Sequence, residues 1–226
     1  MIYFLPAKRQ RNLLLSPADS TIKQHLSLTF SPMTPTQLVL GSTSPYRREL
    51  LARLGLPFTV AAPDCDETPL AGESAADTAT RLACNKATSL AKQFPNALII
   101  GSDQVALLHG EQLGKPGNFE RAFAQLSRMR GQTIVFHTAL ALHNSASGHT
   151  QQVVVPWQVS MRDYSDAEIR HYLEREQPYD CAGSAKTEGL GIAMIENMAG
   201  SDPAAIIGLP LIELCRMLRT EGFPLL

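Results

Sequence analysis

Short apolar runs of strand type alternate along this chain with apolar stripes at helical spacing. The run "QLVLG" (37–41) is followed by Ser44, Pro45 and then Tyr46, Leu50, Leu51 and Leu54 on one face, ending at Gly55. A capping serine, a proline at the first helical position and a closing glycine predict strand, tight turn and helix. "FTVAA" (58–62) predicts a second strand entering the acidic loop "PDCDETP". Ser74 with Asp77 three residues on marks the start of a helix reaching to about Phe94, with Ala79, Leu82, Ala83, Ala87, Leu90, Ala91 and Phe94 on one side and Lys86 inside that stripe. The apolar run "ALIIG" predicts a strand that ends at Ser102, Asp103 and Gln104, and "VALLHGEQLGKPG" a hairpin leading into a loop. Asn118 caps a helix closed by Gly131. Two long strands, "QTIVFHTALALH" and "QQVVVPWQVSMR", flank the turn "NSASG"; Val153, Val155, Trp157, Val159 and Met161 alternate with mostly polar neighbours, which implies one buried face. Ser165 and Glu168 open a helix to about Glu176, "GIAMIENM" predicts a strand, and Pro210 stands near the start of a final helix. Hairpins mixed with crossovers give an α/β fold built on a long mixed twisted sheet flanked by helices.

Composition narrows the classes. The 226 residues suffice for one large domain, and 44% apolar with 18% charged residues gives neither the charge excess of disorder nor an apolar run long enough to span a membrane. The formal charge is −1, yet residues 1–32 hold Lys8, Arg9, Arg11 and Lys23 against Asp19, so the remainder carries 16 basic and 20 acidic side chains. Such a body lacks the basic stripe of a nucleic-acid-binding surface. No nucleic acid and no membrane is therefore expected as a partner. The four cysteines are scattered without metal-ligand spacing, which suits reduced thiols in the cytoplasm. Residues 1–32 read as a poorly ordered N-terminal extension with no secretory signal, Met33 is an alternative start, and 33–226 is the expected domain.

Phosphate-binding signatures of two familiar kinds fail. "GEQLGKP" has too few residues between its glycines and Pro116 where a hydroxyl is required; "GLGIAM" has Met194 in place of a third glycine. What remains is a set of polar side chains at the ends of apolar strands. Ser42, Thr43, Ser44 and Arg47 surround a helix N-terminus, which favours anions, although taken alone this stretch is better accounted for by a plain cap at Ser44 and a solvated Arg47. Asp66 and Glu67 in one loop and Asp103 beyond a strand are candidates to converge on one Mg²⁺ or Mn²⁺. Asp103 is the most demanding of them, because apolar neighbours on both sides make an unpaired charge costly. Lys86 sits where a packed stripe takes an apolar residue, so it either snorkels outward or serves as a cation for phosphate; Lys115, in a tight loop, is a further candidate. The residues by themselves indicate a metal-dependent nucleotide or phosphate-ester enzyme.

"LVLGSTSPYRRELL", "PDCDET", "GSDQV", "GKP" and "GSAKTEGLGIAMIE...DPAAIIGLPL", in this order from about residue 36 to the C-terminus, resemble the Maf nucleotide pyrophosphatases. Within that family "GSDQV" and "CAGSAKTEG" resemble the branch acting on 7-methyl-GTP. The resemblance implies a Maf/ITPase-like fold of two lobes around a nucleotide cleft. It also implies hydrolysis to 7-methyl-GMP and diphosphate with a divalent cation, in the cytoplasm, and a homodimer. Carried over by motif, Asp103 is the expected general base and, with Glu67, a metal ligand. Ser42, Ser44, Arg47, Lys86 and Lys115 are expected to bind the phosphates, and Tyr46, Gln104 and Glu188 to set specificity. The alternatives are a dTTP/UTP pyrophosphatase of the same family and a non-catalytic regulator of septum formation.

Overall fold

The structure, a computed structural model, describes residues 37–68 and 70–226; the expected extension over 1–32 and the alternative start at Met33 lie outside the described residues. Among the described residues seven strands form one mixed sheet: β1 (Gln37–Gly41), β2 (Thr59–Ala61), β3 (Ala97–Leu108), β4 (Glu111–Leu113), β5 (Thr133–Asn144), β6 (Thr150–Met161) and β7 (Ile195–Gly200). Their order is β2-β1-β3-β5-β6-β7, with β4 paired to β3 beside that path. The pairs β1–β2 and β1–β3 are parallel, whereas β3–β4, β3–β5, β5–β6 and β6–β7 are antiparallel. Helices α1 (Pro45–Ala52), α2 (Ala75–Thr88), α3 (Phe119–Met129), α4 (Asp166–Glu176) and α5 (Leu211–Thr220) flank the sheet. None of the described helices is long and apolar enough to cross a membrane.

Strand alternation divides the core. Leu38, Leu40, Leu98, Ile100, Leu140 and Leu142 pack with α1 and α5 on one face, while Val39, Ile99, Ala139 and Ala141 pack with the alanines of α2 on the other. Beyond the middle of the sheet, Leu108, Ile134, Phe136, Trp157 and Val159 form a further cluster with α3 and α4. The cores thus sit at the two ends of the long strands, and the site lies between them.

Three sequence expectations change. The apolar run at 97–101 does not end at Ser102 to Gln104: β3 continues through them, hydrogen-bonded to β5 from Leu98 opposite Asn144 to Leu108 opposite Ile134. What stops is the neighbour on its other edge, because β1 pairs with β3 only as far as Ile100 and β4 pairs with it only from Ala106 onward. The regular part of α2 ends at Thr88 rather than Phe94. There the Thr88 hydroxyl donates to the Cys84 carbonyl (2.9 Å) and the Ser89 hydroxyl to that of Lys86 (3.2 Å), so side chains compete with the backbone ladder. "GIAMIENM" divides into a 3₁₀ turn over Leu190–Met194 and β7, because the Glu176 carboxylate accepts from the Leu190 amide (2.8 Å) and bends the chain before the strand starts.

Candidate active site

The interruption along β3 makes the site. Residues 101–105 pair with β5 on one edge and have no strand partner among the described residues on the other. Chain segments leaving β1 and β4 flank this opening, a switch in strand order of the kind where α/β sheets receive ligands. The cleft there encloses about 490 Å³, within the roughly 300–1,000 Å³ typical of small-molecule sites. Every site residue expected from the sequence except Asp66 lines it, from Ser42 to Arg47, through Glu67, Lys86, Asp103 and Gln104, to Lys115 and Glu188. Asp66 does not line the cleft; its carboxylate accepts from the Thr68 amide at 2.9 Å within its own loop.

Alternation along β3 sends Asp103 toward α2 and Ser102 and Gln104 toward the opposite face. Lys86 on α2 is only 6% exposed, so it does not snorkel. Its ammonium donates to Asp103 Oδ1 at 2.7 Å and pairs with Glu67 Oε1 at 2.8 Å. Asp103 thus finds its counter-charge in a lysine, and its second carboxylate oxygen has no protein partner among the described residues. The hydrogen bond from Lys86 holds the Glu67 carboxyl below the usual range, with the charges of Lys86, Lys115 and Arg47 acting in the same direction against burial. Both acids touch one nitrogen, so their oxygens lie close together. Among the described residues no three His, Cys, Asp or Glu side chains gather into a metal cage. Two carboxylates from separate segments instead fit a hard cation that keeps waters and shares phosphate oxygens.

Arg47 and the serines join this group from the first turn of α1. Ser44 caps the helix, accepting from the Arg47 amide at 3.4 Å, and Ser42 Oγ accepts from the Ser44 amide at 3.2 Å, so both hydroxyls keep a hydrogen to donate. Arg47 Nε donates to the Gly208 carbonyl at 2.8 Å, and burial lowers its pKa while Asp103 and Glu67 oppose that shift; a guanidinium stays charged regardless. Lys115 is exposed in the loop after β4.

Tyr46, Gln104 and Glu188 occupy other walls. The Gln104 amide nitrogen donates to Thr138 Oγ1 (2.8 Å) and to the carbonyls of Ala205 and Ile206 (3.1 Å each), acceptors that fix which end of the amide is nitrogen. Its carbonyl oxygen is the end left to the cleft, so Gln104 presents an acceptor. Tyr46 lies near Asp180 and Cys181, and Glu188 is exposed on the returning loop. Burial pushes the Cys181 thiol up to about 12, with Asp180 and Glu188 adding to the rise, so it stays protonated.

Several residues of the site went unnoticed in the sequence. Ser102, fully buried, shares its one hydroxyl hydrogen between the carbonyls of Ala139 (2.7 Å) and Gly208 (2.8 Å). The carbonyls at 205, 206 and 208 thereby hold Gln104, Ser102 and Arg47 from one loop. Asp202 anchors that loop: 2% exposed, it accepts from the amides of Ala204, Ile212 and Glu213 and so caps α5, which Pro210 leaves without a side-chain cap. An aspartate immediately before Pro203, a turn-initiating pair, was the available signal. Asp180 and Lys186 were also passed over.

Fold and cleft together define a mixed-sheet α/β protein with a charged pocket of nucleotide size. The chain belongs to the family described as Maf-like protein, which matches residues 37–221. It is 57% identical over 201 residues to a protein of Polaromonas sp. (strain JS666 / ATCC BAA-500) named 7-methyl-GTP pyrophosphatase, covering 88% of this chain and 92% of that one. Proteins of the same name from Thiobacillus denitrificans and Methylobacillus flagellatus are each 58% identical, over 85% and 82% of this chain and 96% of their own lengths.

Proposed function

We propose that this protein is a metal-dependent nucleoside triphosphate pyrophosphatase that hydrolyses 7-methyl-GTP to 7-methyl-GMP and diphosphate. The observation that carries the reading is the pair of carboxylates, Asp103 and Glu67, held on the buried ammonium of Lys86 in a cleft that also gathers Arg47 and Lys115. The names of its relatives at 57–58% identity point to the same substrate.

In this proposal Arg47, Lys86 and Lys115 neutralise the phosphate chain, and the hydroxyls of Ser42 and Ser44 donate to its oxygens. Charge neutralisation and positioning supply most of the catalysis in phosphoryl chemistry. The unengaged oxygen of Asp103 accepts the proton of the attacking water, and Glu67 and Asp103 are the side chains that hold Mg²⁺ or Mn²⁺. Such a cation supplies Lewis-acid polarisation of a phosphoryl oxygen. Tyr46 stacks on the base, whose N7 methylation makes it cationic, while the Gln104 carbonyl accepts from the guanine edge and Glu188 complements the positive charge. Location in the cytoplasm and assembly as a homodimer enter the proposal on the family resemblance.

A nucleotide panel with Mg²⁺ or Mn²⁺ tests the reading. 7-Methyl-GTP is expected to be the best substrate, giving equimolar monophosphate and diphosphate without an acceptor, and excess chelator should stop turnover. Undiminished rates in chelator would remove the metal from the proposal, and a preference for dTTP or UTP would move the substrate. Replacing Glu188 with glutamine retains shape but removes charge. Because the residue is exposed and screened, kcat/KM for 7-methyl-GTP should fall only about fivefold, with a smaller change for GTP. Equal losses on both substrates would contradict the electrostatic role.

A further inference from the structure

The Tyr46 side of the cleft contains an acid with no role so far. Asp180 lies one residue before Cys181, on the loop leaving α4, and lines the cleft. The Tyr46 hydroxyl donates to it at 3.2 Å from Oδ2 and 3.3 Å from Oδ1. Tyr46 is held protonated, chiefly by burial and then by its neighbours Cys181 and Asp180, so the hydroxyl is the donor in this pair. Donation to a carboxylate pushes electron density back into the phenol ring and makes its face more attractive to a cation. The ring already receives one: the Lys186 ammonium sits 5.4 Å from its centroid. That ammonium is neutralised by Glu176 at 3.0 Å, so it does not cancel the field of Asp180. Glu188, two residues beyond Lys186, lines the same cleft, so both carboxylates border this wall.

The charges of the cleft are therefore sorted. Around β3 and α2 the cations Arg47, Lys86 and Lys115 outnumber Asp103 and Glu67, whereas around Tyr46 the acids Asp180, Glu188 and Glu176 outnumber the cation Lys186. A ligand with an anionic chain and a cationic ring matches this polarity; an ordinary nucleotide matches only half of it.

We infer that Asp180 is a specificity-determining residue that acts in two ways, by orienting and enriching the Tyr46 ring and by adding a second negative charge opposite a cationic purine. The inference rests on the 7-methyl-GTP reading above and adds to it a residue that senses base charge rather than base shape.

The experiment compares three substrates on the wild-type chain and on Asp180→Asn, which keeps an acceptor for the Tyr46 hydroxyl but removes the charge. They are GTP, 7-methyl-GTP and 7-methyl-7-deaza-GTP, the last having the methyl group in the same place on a neutral ring. Wild type should prefer 7-methyl-GTP to both others, and the preference should shrink at high ionic strength because Asp180 is exposed. In Asp180→Asn the preference over the neutral isostere should fall about fivefold, mainly through KM, with kcat and the GTP reaction nearly unchanged. If wild type does not prefer 7-methyl-GTP to GTP, the substrate reading fails and this inference fails with it. If wild type has the preference and Asp180→Asn keeps it in full, or loses equally on the neutral isostere, only the assignment of Asp180 is overturned. Circular dichroism and a thermal melt of the variant confirm that the comparison concerns folded protein; Asp180→Glu, which restores the charge, should recover most of the preference.

Discussion

Replacing Asp103 with asparagine is expected to lower kcat for 7-methyl-GTP by about 10²–10⁴, the usual worth of a positioned proton acceptor. That range corresponds to about 3–5 kcal/mol of lost transition-state stabilisation. Asparagine can still accept from the Lys86 ammonium that now donates to Asp103 at 2.7 Å, so α2 should stay seated on β3 and the melting temperature should move by a few degrees at most. What disappears is the anionic oxygen left over after Lys86 is satisfied. Alanine at this position should be at least as inactive, and it also withdraws one of the two acceptors around a buried lysine, so its melting temperature should fall further. Single-turnover and steady-state rates, beside a circular dichroism spectrum, check the pair. If Asp103→Asn retained activity within a few fold of wild type, the carboxylate would be no more than a counter-ion for Lys86, and the chemistry would have to reside elsewhere in the cleft.

The residues legible in the sequence were those that broke a pattern. Asp103 stood between apolar neighbours, and Lys86 occupied an apolar stripe; burial of each charge needs a partner, and each turned out to partner the other. Strand and helix identities were legible for a similar reason, since caps at Ser44, Asn118 and Ser165 and alternation in β6 are local signals. The opening along β3 was not legible. It arises because two other strands stop short, and nothing in "GSDQV" reports where a neighbour ends. Backbone groups escaped for the same reason: the carbonyls of Ala205, Ile206 and Gly208, which hold Gln104, Ser102 and Arg47, belong to residues whose side chains say nothing about them. Asp180 was overlooked because an exposed acid in a loop breaks no pattern; only its contact with Tyr46, distant along the chain, gives it meaning.

Substituting Gly101 with alanine should have the largest effect on stability, and through it on the site. A Cβ added there would lie 2.1 Å from the Ala83 carbonyl oxygen and 2.8 Å from the Ala87 amide nitrogen. Those are backbone atoms of α2, which cannot turn aside as a flexible side chain does, so the helix as a whole must lift from β3. Overpacking of a well-filled core costs about 1–3 kcal/mol, occasionally more, and a clash with main chain on both counts belongs at the upper end. For a domain of this size that predicts a fall in melting temperature of roughly 6–12 °C. Lys86 is carried by the same helix between Ala83 and Ala87, and its bond to Asp103 depends on the close approach that Gly101 and the α2 alanines permit. The folded fraction of Gly101→Ala should accordingly turn over 7-methyl-GTP at least about tenfold more slowly than wild type, since a misplacement on the order of 1 Å is enough to disturb a reacting geometry. Melting curves and rates measured well below the transition separate the two consequences. A variant that melts as wild type does would show that α2 accommodates the methyl group without moving, and a destabilised variant with full activity would show that the Lys86–Asp103 contact is not what the reaction needs.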